Sequence, residues 1–334
     1  MNLQLPVQMT AVFVNPENGQ LFTKKVNVPV PQKGEVLIKM LAAPINPSDL
    51  AKMREITTEE AQDFIPGIEG CGVVIAAGKG LLPGLFKGKR VACSARYRTS
   101  GTWAEYMVTR AGSCFPAGKS ISDEQASMTL VNPMTALAFL DYSRKNKHKA
   151  IVNTAANSAL GKVMVPLFEK HHIKVLNIVR NEEGLNELKK QKFSYILNSS
   201  ETDFSLKLEK WCDEMNAGLF LDAVGGEMIN RVLDYLPANS TVLLYGNLSQ
   251  EKIGFLPTQL LRENKKIIGF FLGHWIEEQG MMKTIKHLLK VNSLLKKGLE
   301  TPIHAVFSLD DIQQAVKLYE KNMSRGKVLL KVGQ

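Results

Sequence analysis

Residues 153–161 read Asn-Thr-Ala-Ala-Asn-Ser-Ala-Leu-Gly, with one glycine in a run of small residues, between an apolar β-like stretch and an apolar helix-like stretch. Loops that cradle a pyrophosphate need small side chains, because the phosphates approach the backbone closely and the next helix must offer its first N–H groups to them. From Ala155 to Ala159 every residue is small or able to cap a helix, so steric room is partly kept. Two readings stand at this point: a nucleotide loop and a plain strand–helix turn. Nineteen residues past Gly161, where the following apolar run ends, stands Arg180. An NAD site places Asp or Glu there for the ribose 2′-hydroxyl, whereas a guanidinium pairs with a 2′-phosphate. NADPH is therefore expected over NADH, the alternative being that Arg180 is an ordinary surface charge.

The elements that must position these residues change character along the chain. Up to about residue 110, short β-rich runs such as TAVFV, EVLIKMLAAPI and GCGVVIAAG are separated by Gly and Pro, as in a barrel-like β domain. Ser122 and Gln125 have capping-box spacing at the head of a helical stretch. From Ala150 the rhythm becomes apolar strand, polar helix, apolar strand, the signature of a parallel sheet covered on both faces. Pro166 falls inside the helix expected after the small-residue loop and predicts a kink, since it removes a donor at roughly 3 kcal/mol. A helical stretch from about 273 then leads to a β-rich closing segment that returns to the first domain.

The chain has 334 residues, 45% of them hydrophobic, enough for two domains of ordinary size. A formal charge of +10 suits an acidic ligand such as a nucleotide, coenzyme A or an acyl-carrier protein, or describes a solvated basic surface. The basic residues are dispersed and no nucleic-acid motif appears, so a nucleic-acid partner is not expected. Cys71, Cys93, Cys114 and Cys212 show no zinc-knuckle or C-x-x-C spacing, and quiet reduced thiols are expected. With no apolar run of 18 residues and no signal-like start, the expectation is a protein without a membrane span, cytoplasmic or in the mitochondrial matrix.

The motifs AAPINPSDL, PGIEGCGVV, GTWAEY, VNPMTALA, NTAANSALG, NIVR, DAVGG, YGNLS and GFFLGHW occur in the order seen in the zinc-free medium-chain dehydrogenase/reductase superfamily. The chain most resembles its 2-enoyl thioester reductases, with quinone oxidoreductases next. The resemblance implies an α/β fold: a Rossmann cofactor domain with a parallel sheet, and a split GroES-like β-rich catalytic domain. The limits expected are 1–125 for the GroES-like part, 126–272 for the Rossmann part and 273–334 for the linking helix and return. It implies that Asn132 and Thr135 face the nicotinamide, and that Asn157, Ser158, Ala159 and Leu160 face the pyrophosphate. Arg180 and Asn181 would take the adenosine phosphate, and Tyr245, Gly246, Asn247 and Leu248 the ribose. Phe270, Phe271 and Leu272 would pass the nicotinamide amide, and Lys327 would reach the cofactor. A homodimer paired through the IIGFFLGHW strand is also implied, with the acceptor, an enoyl thioester or a quinone, taken between the domains.

Two departures matter. The zinc-dependent relatives carry Cys in the loop here reading INPSD and His in the motif here reading GIEGCG; both are missing, so no metal is expected. The enoyl thioester reductases also share a tyrosine about eight residues after NPSD, where this chain has Ile56, Thr57 and Thr58. A threonine hydroxyl is far less acidic than a phenol of pKa about 10. Three outcomes stay open: proton delivery by water or another hydroxyl, a quinone taking hydride directly, or a non-catalytic cofactor-binding or structural subunit. Asn46 and Thr57 are the expected carbonyl-polarising donors on the acceptor side, and Asp49 is expected to cap its own turn.

Overall fold

The computed structural model describes residues 6–56, 59, 63–95 and 100–332; Thr57 and Thr58 lie outside the described residues. The chain divides into two compact units, Met1–Asn132 with Leu288–Gln334, and Pro133–His287. The divisions fall later than the expected limits at 125 and 272, and the return to the first unit starts well before the closing strands.

The first unit opens with β1 (Gln8–Val14) and β2 (Leu21–Asn27), an antiparallel pair. There follow β3 (Glu35–Pro44), α1 (Pro47–Glu55), β4 (Glu69–Ala77), α2 (Leu81–Phe86), β5 (Arg90–Ser94), β6 (Tyr106–Arg110), β7 (Cys114–Pro116) and α3 (Asp123–Ser127). Strand β3 is buried along most of its length, because β4 and β6 both pair with it antiparallel and its Ile38 and Met40 share one core with Val91 and Trp103. Ser122 caps α3 by accepting the Gln125 N–H at 3.2 Å, as its spacing predicts. The Gln125 side chain does not complete the box. It turns to the Thr301 backbone instead, donating through Nε2 at 2.9 Å and accepting through Oε1 at 3.0 Å.

Helix α4 (Asn132–Lys145) begins at the unit limit and leads into the parallel part: β8 (Ala150–Asn153), α5 (Ala159–Glu169), β9 (Lys174–Val179), α6 (Glu182–Lys190), β10 (Ile196–Asn198), α7 (Phe204–Met215), β11 (Leu219–Asp222), α8 (Glu227–Leu233), β12 (Thr241–Leu244), α9 (Pro257–Leu261) and β13 (Lys266–Gly269). The six strands pair in the order β10-β9-β8-β11-β12-β13, all parallel. This is the Rossmann order, and β8 beside β11 is its switch point, where such sheets take ligands at their carboxyl ends. The strands are continuous apolar runs because Val152, Leu176, Ile178, Phe220 and Val242 are covered by helices. Helix α5 continues through Pro166 as one element.

Helix α10 (Leu272–Lys296) is broken at Gly280, whose φ of 72° is not helical. The closing β14 (Ile303–Phe307), α11 (Ile312–Lys321) and β15 (Lys327–Lys331) rejoin the first unit, where β15 pairs with β3 in a sheet ordered β14-β15-β3-β4-β5-β7.

Candidate functional site

The loop between β8 and α5 explains its single glycine. A Cβ on Gly161 would stand 2.1 Å from the Ala156 carbonyl oxygen, so here the helix lies on the loop with no space for a side chain. The positions before it tolerate other small residues, at a local cost: Ala155 adopts φ 50°, a left-handed conformation that glycine takes more easily. Ser158 caps α5 by accepting the Gly161 N–H at 3.1 Å, which sets the helix start at Ala159. Ala159 and Leu160 are buried in the first turn, and Asn157 is nearly so. Among the described residues the Asn157 Oδ1 has no partner, and neither polar atom of the Asn153 side chain, at the end of β8, has one. Buried polar atoms are rarely left unsatisfied, and one at the head of a helix whose first amides point outward fits a polar ligand there.

At the end of the adjacent strand β9, Arg180 is exposed. Asn181 next to it accepts the Gly184 N–H through Oδ1 at 2.9 Å and so caps α6, a role its sequence position did not announce. One strand further on the other side, Asp222 ends β11 and folds the DAVGG segment onto itself. Its Oδ2 accepts the Gly225 N–H at 2.8 Å and its Oδ1 the Val224 N–H at 3.1 Å. Thr154 donates its hydroxyl to Asp222 at 2.7 Å and accepts the Ala223 N–H at 2.9 Å, stitching the small-residue loop to this second loop. Burial raises the Asp222 carboxyl above its ordinary range, against these hydrogen bonds.

The YGNL segment follows β12 and is laced to the same loop: Tyr245 N–H donates to Asp222 O at 2.9 Å and Leu248 N–H to Ala223 O at 3.0 Å. A Cβ on Gly246 would come within 2.6 Å of Ala223 O, so glycine is required for that approach. Asn247 and Leu248 are exposed at the tip. Phe139 on α4 holds the next two segments, its ring 4.9 Å from Tyr245 and 4.8 Å from Phe270. Burial raises the Tyr245 phenol well above its usual pKa, with the Asp222 carboxylate adding to the effect. Phe271 is exposed and Leu272 half-buried beyond β13, and Thr135 is buried on α4. The residues expected at the pyrophosphate, adenosine phosphate, ribose and amide thus stand at the carboxyl ends of β8, β9, β12 and β13. Thr154, Asn153 and Asp222, which the sequence reading did not single out, join them; an Asp followed three residues on by paired glycines was the available signal for the last.

The other expected residues, Asn46, Asn132 and Lys327, belong to the first unit, and there the INPSD motif is part of a closed polar cluster. Lys327, wholly buried at the start of β15, donates to Asn46 Oδ1 and, at 3.3 Å, to the Ile45 carbonyl. Asn46 donates through Nδ2 to Glu69 Oε1 at 3.2 Å. The other oxygen of Glu69 accepts the N–H groups of Leu130 at 3.0 Å and Val131 at 2.9 Å, directly before the buried Asn132. Asp49 caps its own turn as expected, accepting the Asn46 N–H at 2.8 Å, and also holds Ile68 N–H at 2.9 Å. One carboxylate therefore ties the INPSD, GIEGCG and VNP motifs and the C-terminal lysine together. The clamping role of Glu69 leaves no local pattern in the sequence.

Burial dominates the electrostatics of this cluster. It raises Asp49 and Glu69 each to about 7 and lowers Lys327 to about 8, although the opposite charges pull each group the other way. The thiols of Cys71, Cys93, Cys114 and Cys212 are buried and raised by desolvation, Cys71 to about 12. Among the described residues no group of three His, Cys, Asp or Glu is arranged to hold a metal ion, and no helix is long and apolar enough to cross a membrane.

Residues 32–119 match the alcohol dehydrogenase GroES-like domain, and residues 159–287 match the zinc-binding dehydrogenase domain. The chain is 29% identical over 292 residues to the mitochondrial enoyl-[acyl-carrier-protein] reductase of Arabidopsis thaliana, covering 85% of this chain and 77% of that protein. The enzyme of the same name from Dictyostelium discoideum is 29% identical over 255 residues, covering 73% and 71%. The crystal structure of a Mesorhizobium loti protein assigned provisionally as an NADPH:quinone reductase superposes with a TM-score of 0.90 at 28% identity, over 98% of this chain and 100% of that one.

Proposed function

The chain belongs to the medium-chain dehydrogenase/reductase superfamily, and on that premise we propose that it is an NADPH-dependent reductase of an activated carbon–carbon double bond, its acceptor a 2-enoyl thioester. The observation that carries this reading is a juxtaposition at adjacent strand ends. The first turn of α5, with the Oδ1 of buried Asn157 unpartnered among the described residues, stands at the end of β8, and exposed Arg180 stands at the end of β9.

In this reading the backbone N–H groups of Ala159 and Leu160 hold the pyrophosphate, with Ser158, whose own N–H closes the loop onto the Ala155 carbonyl at 2.8 Å, and the Asn157 amide beside them. Arg180 pairs with the 2′-phosphate, which a carboxylate at that position would repel. Asn181 caps α6 through its Oδ1 and, beside Arg180, takes part in holding the adenosine phosphate. The exposed tip of the YGNL segment borders the ribose, and Phe139 packs Tyr245 and Phe270 so that Phe271 and Leu272 flank the nicotinamide. Bound NADPH would supply hydride to the acceptor. The chain's own part is positioning and exclusion of water, and in the absence of the relatives' tyrosine the completing proton comes from water or a hydroxyl. Asn46, expected as a polarising donor, serves here as part of the buried frame through which Glu69 holds the approach to Asn132. No metal takes part in the proposed reaction.

The names of the relatives favour the thioester over the quinone, and their mitochondrial designation favours a matrix location over the cytosol. A homodimer through β13 is part of the proposal: β13 is an edge strand of its sheet, and Ile268 and Phe271 are exposed, a combination that invites strand pairing. Single-turnover oxidation of NADPH, followed at the nicotinamide absorbance with 2-enoyl-CoA chains and with quinones, tests the activity. Oxidation with the enoyl thioesters is expected; turnover of quinones alone would replace the substrate, and no turnover with any acceptor would leave the non-catalytic reading. Light scattering tests the dimer.

A further inference from the structure

At the end of β3 and β4 remote from Glu69 and Asn46, the first unit carries a surface that neither the polar cluster nor the core accounts for. The short helix α2 projects Leu81 at 84% exposure and Leu85 at 56%, with Leu82 also exposed. The neighbouring loop adds Val30 at 74% exposure; it lies beside the same turn, since the Gly78 Cα faces the Gln32 carbonyl and Gly34 N–H donates to Lys79 O at 2.9 Å. Leaving four large apolar side chains in water is unfavourable by their transfer free energy, and no described residue of the unit covers them. They stand on a protrusion, not in a groove, for a side chain added at Gly84 or Gly88 would meet open space.

The rim around these side chains is basic. Lys33, Lys79, Lys87, Lys89 and Arg110 are all exposed around the helix and the loop. Between Lys33 and Arg110 lies a surface cavity of 510 Å³ that Glu35 and Ser113 also line. Separate apolar points on a convex tip with cations set around them do not offer a protein partner the shape complementarity that specific interfaces need. A fluid surface needs none: it accepts the leucines among its acyl chains and meets the lysines with anionic headgroups.

We propose that this tip, Val30 with Leu81, Leu82 and Leu85 inside a rim of Lys33, Lys79, Lys87, Lys89 and Arg110, binds the protein peripherally to anionic lipid bilayers. Strands β3 and β4 separate the tip from the Asn46–Glu69 cluster by roughly 25 Å, the length of a nine-residue strand. A bilayer held there leaves that cluster away from the lipid.

The full-length protein is sedimented with vesicles of phosphatidylcholine alone and of phosphatidylcholine with about a third phosphatidylserine. At least about tenfold stronger partitioning onto the anionic vesicles is expected, weakening as salt is raised. The double variant Leu81→Ser/Leu85→Ser and the triple variant Lys79→Glu/Lys87→Glu/Lys89→Glu are each expected to lower it by about tenfold or more. The triple variant Lys189→Glu/Lys190→Glu/Lys192→Glu makes the same change of net charge elsewhere and is expected to bind as the unmodified protein does. Thermal melting confirms that each variant is folded. Partitioning that is absent, or equal on the two vesicle types, overturns the proposal; so does wild-type binding by both tip variants, or an equal loss in the Lys189–Lys192 control.

Discussion

The two polar centres of the molecule are built on opposite principles. In the first unit, Lys327, Asn46, Glu69 and Asp49 are buried together and spend their hydrogen bonds on one another and on nearby backbone. In the second unit, the loop before α5 satisfies its own turn through Ser158, yet leaves Asn157 Oδ1 and the whole Asn153 amide without partners among the described residues, with Arg180 exposed one strand away. The first centre is closed and needs nothing further; the second is left to be completed by a ligand. A polar network of the closed kind fixes how segments meet, whereas orphaned groups at strand ends mark where something is bound.

The sharpest way to break this contrast is to open the closed centre. Lys327→Met leaves two carboxylates buried without their cation and is expected to cost about 3–5 kcal/mol of stability in urea unfolding. The triple change Lys327→Met, Glu69→Gln, Asp49→Asn, which removes all three charges, is expected to recover much of that loss. A cluster that tolerates the single change without loss is not the closed unit described here.

Its pH dependence is the next largest effect. Asp49 and Glu69 rise from 3.8 and 4.5 to about 7 in the fold, so between those values the folded chain binds more protons than the unfolded one. Stability from these groups is present below about pH 4 and is lost as pH rises through 7, the reverse of ordinary acid denaturation. Lys327 is lowered from 10.5 to about 8, so its contribution is present above 10.5 and is lost as pH falls through about 8. Unfolding at a series of pH values is expected to show a fall on the order of 2 kcal/mol from about pH 5 to 7, and Glu69→Gln is expected to flatten it.

The open centre responds in the other currency. Asn157→Ala is expected to weaken NADPH about tenfold by calorimetry while leaving the melting temperature unchanged or slightly higher, since it removes an unsatisfied buried atom. The smallest effect tests the loop's backbone: Ala155→Gly relieves the left-handed conformation at φ 50° and is expected to be neutral or to stabilise by up to about 1 kcal/mol. A destabilised Ala155→Gly protein would mean that the Ala155 methyl packs better than glycine's freedom repays.

What could be read from sequence was whatever a short window carries. The alternating apolar runs from Ala150 announced a parallel sheet, and the spacing from Gly161 to Arg180 placed the two strand ends that the sheet brings side by side. Capping at Ser122 and Asp49 was legible for the same reason, because donor and acceptor lie three residues apart. Contacts between distant residues were not. Gln125 leaves its own helix for Thr301, Thr154 reaches Asp222, and Glu69 spans to Asn46 and Leu130; no local rule separates these from solvent-exposed polar residues. The unit limits moved for a related reason, since α4 and α10 each run across a limit and helical periodicity holds no mark of where packing changes hands.

The central claim is that the amides opening α5 and the cation of Arg180 hold a phosphorylated adenosine. Isothermal titration of the unmodified protein and of Arg180→Glu with NADPH and with NADH tests it directly. Saturable NADPH binding is expected, weakened on the order of 100-fold in Arg180→Glu, with NADH changed little. Equal losses for the two nucleotides, or no saturable NADPH signal at millimolar concentration, would contradict it.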